Sequence, residues 1–253
     1  MKPYPPDMME KLVSLCKRRG FVYQGSEIYG GLAGTYDYGP LGTALKNNIK
    51  NLWWRMFVDG RDDMFGMDAA ILMNARTWET TGHVAGFADP LVECTKCKKR
   101  FRADQLEDQF RNQSKCPACG GALGPERQFN MMLSTRVGAM EDSSSISYLR
   151  PETAQGMFVN FKNVVDSFHP KLPFGMGQIG KAFRNEITPR DFIFRLRELE
   201  QMEVEYFVRP EDWQRAFEEW RVAMGNWIDA VGIDPERVYE TDILGGDLAH
   251  YSK

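Results

Sequence analysis

Two groups of residues in this chain have types and spacings suited to chemistry. The first is four cysteines in two tight pairs, Cys94 with Cys97 and Cys116 with Cys119. Zn²⁺ takes four tetrahedral ligands, and thiolates supply them well. Two residues between the cysteines of a pair let both sulfurs point at one ion. The eighteen residues between the pairs are enough to fold as a ribbon that returns the second pair to the first. Gly120 and Gly121 fit the sharp turn such a knuckle needs. A secreted disulfide framework would scatter its cysteines instead. No His or carboxylate lies at a matching spacing to leave an open coordination position, so the expected Zn²⁺ is structural. Lys96, Lys98, Lys99, Arg100 and Arg102 surround the pairs. They serve either as an RNA contact or as the solvated surface of a small module, and the sequence favours neither.

The second group lies in residues 183–205, which read FRNEITPRDFIFRLRELEQMEVE. On a strand, alternate residues share a face. Arg184 and Glu186 are therefore expected to point the same way. On a second strand, Arg195, Arg197, Leu199, Gln201, Glu203 and Glu205 share a face. Leu196, Met202, Val204 and Tyr206 take the other face, with Glu198 and Glu200 less easily buried. Pro189 and its neighbours make the hairpin connection. The planar fork of Arg suits phosphate, and a Glu nearby accepts from an amine. ATP and an amino acid together present both groups. From charge alone, an exposed sheet face laced with weak cross-strand ion pairs explains the pattern more simply.

The elements that must position these groups follow from periodicity. A helix is expected over 8–19, with Asp7 as N-cap, an apolar stripe of Leu12, Leu15 and Cys16, and Gly20 as its stop. Cys16 reads as a small buried hydrophobe. After Gly30, Gly31, Gly34, Gly39 and Gly42, a second helix starts near Pro40, which suits a first helical turn. Leu41, Leu45, Ile49, Leu52, Trp53 and Met56 continue it at helical spacing. Residues 91–125 are polar, rich in Lys and Arg, and hold all four paired cysteines. They read as a zinc-ribbon module inserted into a core made of 1–90 and 126–253. In the rest of the core a strand is expected at 129–133. A helix at 152–168 should bury Met157, Phe158, Phe161, Val164 and Val165, and strands follow near 180–187 and 195–208. The last element is an amphipathic helix with Trp213, Phe217, Trp220, Met224, Trp227, Ile228 and Val231 on one stripe. Many strands with few regular crossover helices indicate an α+β fold with an antiparallel sheet.

Composition bounds the function. The 253 residues carry a net charge of −3, whereas a protein that only wraps nucleic acid is more often basic. No run of about 18 apolar residues offers a membrane span. Residues 1–7 lack the basic-then-apolar order of a signal peptide, so a cytoplasmic location is the expectation.

Residues 183–186 (FRNE) resemble motif 2 of the class II aminoacyl-tRNA synthetases, and the rest of that hairpin resembles the glycyl branch of the family. Residues 30–42 (GGLAGTYDYGPLG), running into ALKNNIKNLWW, are similar to its motif 1 region. Residues 150–156 (RPETAQG) with 158–163 (FVNFKN) make a third match. The resemblance covers nearly the whole chain, the cysteine insert included. It implies an antiparallel sheet flanked by helices and a homodimer formed through the motif 1 region. It also implies ATP-dependent activation of glycine, with Mg²⁺, and transfer to tRNA(Gly).

By the same resemblance, Arg184 binds the α-phosphate and the developing adenylate. Glu186 reads the adenine amino edge, and Arg195 holds the outer phosphates. Glu152 and Glu203 receive the glycine ammonium. In the family an aromatic often occupies the position of Leu199 and stacks on adenine, so weaker ATP binding is expected here. Nothing after Val208 resembles motif 3, and 245–253 resemble a point inside the catalytic domain. That domain is therefore expected to be incomplete at the C-terminus, with no anticodon-binding domain, and the chain by itself is expected to be impaired or inactive. Two other readings remain. One is a non-catalytic class II relative acting as a nucleic-acid-binding or accessory subunit. The other is a zinc-ribbon nucleic-acid-binding protein.

Overall fold

A computed structural model describes residues 5, 7–139, 145–189 and 192–243. Arg190 and Asp191 of the hairpin connection, most of the N-terminal segment 1–7 and the terminal match at 245–253 lie outside the described residues. In chain order the elements are α1 (Met8–Arg18), β1 (Val22–Gln24), β2 (Tyr36–Tyr38), α2 (Pro40–Trp54), β3 (Met64–Met67), β4 (Leu72–Met73), α3 (Ala75–Thr80) and α4 (His83–Gly86). The cysteine region contributes β5 (Ala88–Glu93), β6 (Arg100–Arg102) and α5 (Asp108–Asn112). Then come β7 (Arg127–Asn130), β8 (Leu133–Arg136), β9 (Ile146–Leu149), α6 (Ala154–Phe168), β10 (Phe174–Phe183), β11 (Glu198–Phe207) and α7 (Trp213–Val231). The fold is α+β.

The central sheet has the order β11-β10-β3. β10 and β11 pair antiparallel along their length, from Phe174↔Phe207 to Phe183↔Glu198. β3 joins the other side of β10 in parallel, so this sheet is mixed rather than purely antiparallel. The pairs within the other three described sheets are antiparallel. The alternation expected for β11 holds. Met202 and Val204, with Ile179, pack on Trp53, Phe57 and Val58 of α2 and the π-helical turn after it, together with Trp220 and Trp227 of α7. On the opposite face α6 covers one end only, where Met157 and Val164 meet Phe174 and Met176, with Phe161 and Phe207 beside them. The other end of that face, around Gln178, Gly180, Leu199, Gln201 and Glu203, lies beyond this cluster. α2 starts at Pro40, in the first helical turn. Gly42 sits so close to the preceding chain that a Cβ there would stand 1.9 Å from the Phe21 carbonyl oxygen.

Several expectations need correction. β10 stops at Phe183 and β11 begins at Glu198, so Arg184, Glu186, Arg195 and Arg197 lie beyond the strands. Residues 129–133 are not one strand. The Asn130 side chain accepts from Met132 N (2.7 Å) and donates to the Val84 carbonyl (2.6 Å), which breaks the chain between β7 and β8. No residue of α1 is buried; Leu12 and Leu15 are exposed, and Cys16 is half-buried. Phe158 is exposed, as are Trp213, Phe217 and Met224. The packed face of α7 is Ala216, Trp220, Ala223 and Trp227.

Candidate active site

The site forms where the ends of β10 and β11 meet the 150–153 segment, the α3–α4 corner and the cysteine region. Arg150 is the anchor. It is 1% exposed, donating from Nε to the Lys181 carbonyl (2.6 Å) and from Nη1 to the Ala69 carbonyl (2.7 Å). Its guanidinium crosses Gly180 so closely that a Cβ there would lie 2.2 Å from Nη2. Burial, against the opposing charge of Asp68, holds the Arg150 pKa below the usual range for arginine.

Beyond Arg184 the backbone bonds leave the ladder. Asn185 N donates to the Met131 carbonyl (2.8 Å), and Glu186 N turns back on the Arg184 carbonyl (2.7 Å). Arg184 N donates to the Arg197 carbonyl (2.9 Å). Its Nε donates to the Pro151 carbonyl (3.1 Å), and its guanidinium lies 5.7 Å from the Phe87 ring centre. Arg197 is a staple. It donates from Nε and Nη2 to the Glu186 carbonyl (3.3 and 3.0 Å) and from Nη1 to the Ala33 carbonyl (2.8 Å). The glycine-rich loop is thereby tied to the turn that presents Arg184.

Glu186 is buried, and its Oε2 has no hydrogen-bond partner among the described residues. Arg102 of β6 pairs with Asp89 (2.5 Å) and Asp104 (2.7 Å). Burial pushes the Asp89 carboxyl up, against the opposing pull of Arg102, Arg195 and Arg184. Arg195 donates from Nη1 to Gln105 Oε1 (3.1 Å), and Thr188 Oγ1 donates to the Arg100 carbonyl (3.4 Å). The cysteine region therefore touches the chain on both sides of the hairpin connection.

Carboxylates gather at the other end. Thr153, fully buried, donates from Oγ1 to Glu203 and from its backbone N to Gln201 Oε1 (3.1 Å). Glu152 Oε1 lies 3.3 Å from His83 Nε2. Burial first, and then the charges of Glu203 and Glu152, raise the Glu205 carboxyl to about 7. Glu152, Glu203 and Glu205 thus form an acidic pocket without a lysine or arginine bonded to any of them among the described residues.

The linkage has a definite sign. Glu205 keeps its proton in the folded chain to about pH 7 but loses it near 4.5 when exposed, so stability falls as pH rises through that window. Glu205→Gln is expected to remove this loss. Its melting temperature should gain on the parent's between pH 5 and pH 8, as followed by scanning fluorimetry. A pH-independent difference would show that Glu205 ionises normally.

The four cysteine sulfurs lie within 4.8 Å of one another. Cys94–Cys119 and Cys97–Cys116 are 3.5 and 3.7 Å apart. Tetrahedral Zn–S bonds of about 2.3 Å separate sulfurs by about 3.8 Å, so the donor set fits zinc, and these gaps are too long for disulfides. Backbone N–H groups of Cys97 and Ala118 point at Cys94 and Cys116 Sγ (3.4 Å each). The Cys97 N–H holds the Cys94 thiol down to about 6. Gly120 turns the second knuckle at φ 68°.

Of the residues singled out from the sequence, Glu152, Glu203 and Leu199 sit at the sheet face or its edge. Arg184, Glu186 and Arg195 flank it on the hairpin connection, and the cysteines cluster apart. Sequence reasoning missed Thr153, Gln201, His83 and the Asp89–Arg102 pair. Thr153 was legible as the residue between Glu152 and the start of α6. No spacing links His83 to Glu152.

The family description "tRNA synthetase class II core domain (G, H, P, S and T)" matches residues 139–252. A glycine–tRNA ligase of Treponema denticola is 51% identical, over 97% of this chain and 54% of the relative. One from Alkaliphilus oremlandii is 49% identical, over 97% and 58%. The chain thus spans little more than half the length of these curated relatives. A structure titled as the RNA binding domain of threonyl-tRNA synthetase from Cryptosporidium parvum shares the fold, with a TM-score of 0.55 over 87% of this chain and 42% of that one at 15% identity.

Proposed function

We propose that this chain, which is similar to glycine–tRNA ligases along nearly its own length and to the class II synthetase core over residues 139–252, is part of an enzyme that activates glycine with ATP and Mg²⁺ for transfer to tRNA(Gly). The observation that carries the reading is one sheet end with arginines on one side and an acidic pocket on the other. Arg184 and Arg195 flank the hairpin connection, and Glu152, Glu203 and Glu205 gather beside α6. That polarity matches a substrate pair with phosphates at one end and an ammonium at the other.

In this reading Arg184 meets the α-phosphate and Arg195 the outer phosphates. The unpartnered Oε2 of Glu186 accepts from the adenine amino group, and Leu199 packs against the base. Glu152 and Glu203 receive the glycine ammonium. A glycine carboxylate oxygen attacks the α-phosphorus, a P–O bond forms, and pyrophosphate leaves with the electron pair of the broken bond. No side chain needs to move a proton. Positioning, with neutralisation of charge by Arg184 and Mg²⁺, supplies most of the rate. Glycine has no side chain to recognise, so a narrow pocket rejects alanine by overpacking.

Cys94, Cys97, Cys116 and Cys119 would hold a structural Zn²⁺ in the 91–125 module, with 1–90 and 126–253 as the catalytic core. The homodimer would use α2, whose Leu41 and Leu45 are exposed. Reduced thiols at metal spacing suit the cytoplasm. A non-catalytic relative would have no use for Arg184, Glu186, Glu152 and Glu203 together.

Glycine-dependent ATP–pyrophosphate exchange by a version extended through motif 3 tests the activity, and its absence there would refute the reading; the 253-residue chain alone is expected to exchange more slowly. Glu203→Gln is expected to raise the glycine KM roughly 10- to 100-fold, the equivalent of losing a charged hydrogen bond, with little change for ATP. Equal shifts for both substrates would move Glu203 out of the ammonium pocket.

A further inference from the structure

His83 is the remaining titratable side chain that touches the acidic pocket. It opens α4 directly after Gly82, whose φ of 79° makes the corner from α3. That corner folds His83 back on α3, so the ring stands edge-on to fully buried Trp78 (5.4 Å between centres) and 5.7 Å from Phe87. Nδ1 lies 2.8 Å from Thr81 Oγ1, and Nε2 lies 3.3 Å from Glu152 Oε1. An ionised carboxylate only accepts, so this contact is favourable when Nε2 carries the proton. Thr81 donating to Nδ1 leaves a neutral ring with its proton on Nε2; when Thr81 instead gives its proton to the Thr77 carbonyl (3.0 Å) it accepts from Nδ1–H, and the charged ring then carries the Nε2 proton that meets Glu152. The Glu152 side chain keeps 28% of its exposure, enough for its second oxygen to meet a ligand.

We propose that His83 is a positioning residue: braced by Thr81, Trp78 and Phe87, it fixes one oxygen of Glu152 so that the other faces the ammonium of the amino-acid substrate. The inference rests on the reading of Glu152 as an ammonium ligand. A carboxylate held by one fixed donor loses less rotational freedom on binding than a free one. The His83 contact also restrains Glu152 beside Glu203, whose charge would otherwise drive it outward.

The test is calorimetric binding of a non-hydrolysable glycyl-adenylate analogue, 5′-O-(glycylsulfamoyl)adenosine, and separately of ATP. His83→Phe keeps a ring between Trp78 and Phe87 but removes the donor. Its affinity for the analogue is expected to fall about tenfold, with ATP affinity and melting temperature unchanged. His83→Gln places an amide N–H near the position of Nε2 and should recover most of the loss. In a Glu152→Gln background, His83→Phe should cost little more. If His83→Phe fails to fold, His83→Asn, whose shorter amide does not reach Glu152, replaces it. Parent-like binding by the donor-less variant, or equal weakening in the Gln variant, would overturn the proposal. A parent that binds neither ATP nor the analogue would overturn the functional reading, and this inference with it.

Discussion

In a version extended through motif 3, Arg184→Ala is expected to lower glycine-dependent ATP–pyrophosphate exchange roughly 10²–10³-fold, the usual effect of removing one preorganised contact to charge developing in a transition state. The environment of Arg184 supports so large a loss. Its backbone is fixed by the Arg197 carbonyl, and its Nε is committed to the Pro151 carbonyl. No carboxylate pairs with its two terminal nitrogens among the described residues. The guanidinium is thus aimed but not neutralised, and it need not reorganise to meet phosphate. The fold should tolerate the change, because Arg184 is half-buried and contributes one side-chain hydrogen bond. The melting temperature should therefore stay within a degree or two of the parent's, about what a few tenths of a kcal/mol moves. Arg184→Lys keeps the charge without the fork, and its activity should fall between the two. Exchange within a few-fold of the parent in the alanine variant would take Arg184 out of the reaction.

The parts of this site that were legible in the sequence are those fixed by local pattern. Period-two alternation separated Glu203 and Glu205 from Met202 and Val204, because a ten-residue strand with one face on a core cannot slip register without burying its charges. The CxxC spacing announced the sulfur cluster because its geometry is set within each knuckle. Strand ends were not legible, because distant groups decide them. Arg184 N still bonds the Arg197 carbonyl, but Gly34 takes the Arg197 N–H and Met131 takes the Asn185 N–H, so the hairpin opens immediately past that bond. The same holds for α1 and α7. Helical spacing marked an apolar stripe on each, but it says nothing of what covers it. Leu12 and Phe217 remain exposed in this chain. His83 was invisible for a related reason: its importance lies in a contact with a residue far along the chain, which only the folded corner at Gly82 creates.

Removing metal from the Cys94–Cys97–Cys116–Cys119 cluster is expected to unfold the 94–123 segment and to loosen the nucleotide end of the site. Apart from the β5–β6 pairing and the Arg102–Asp89 ion pair, the segment has little else to hold it. Within it, Cys94, Ala103 and Cys116 are the buried hydrophobic residues, far too small a core for an autonomous module. Structural zinc in comparable small modules contributes roughly 10–16 kcal/mol at neutral pH, which exceeds anything those contacts supply. Purified, reduced protein should carry about one zinc per chain.

Chelation should then abolish amide-exchange protection at Cys116 N and Thr95 N, which are bonded to the Gly121 and Ala122 carbonyls, while β10 and β11 keep theirs. The consequence for ATP follows from contact. Gln105 holds Arg195, and the Arg100 carbonyl holds Thr188. When the ribbon melts, both sides of the hairpin connection lose a tether. A displacement of about 1 Å at such a group costs on the order of 10²-fold, so ATP affinity and exchange activity should both drop and return on adding Zn²⁺. Cys116→Ser should reproduce the metal-free behaviour without chelator. A metal-free, reduced protein that keeps full protection across 94–123 would show that the ribbon stands without the ion, and the four sulfurs would lose their assigned role.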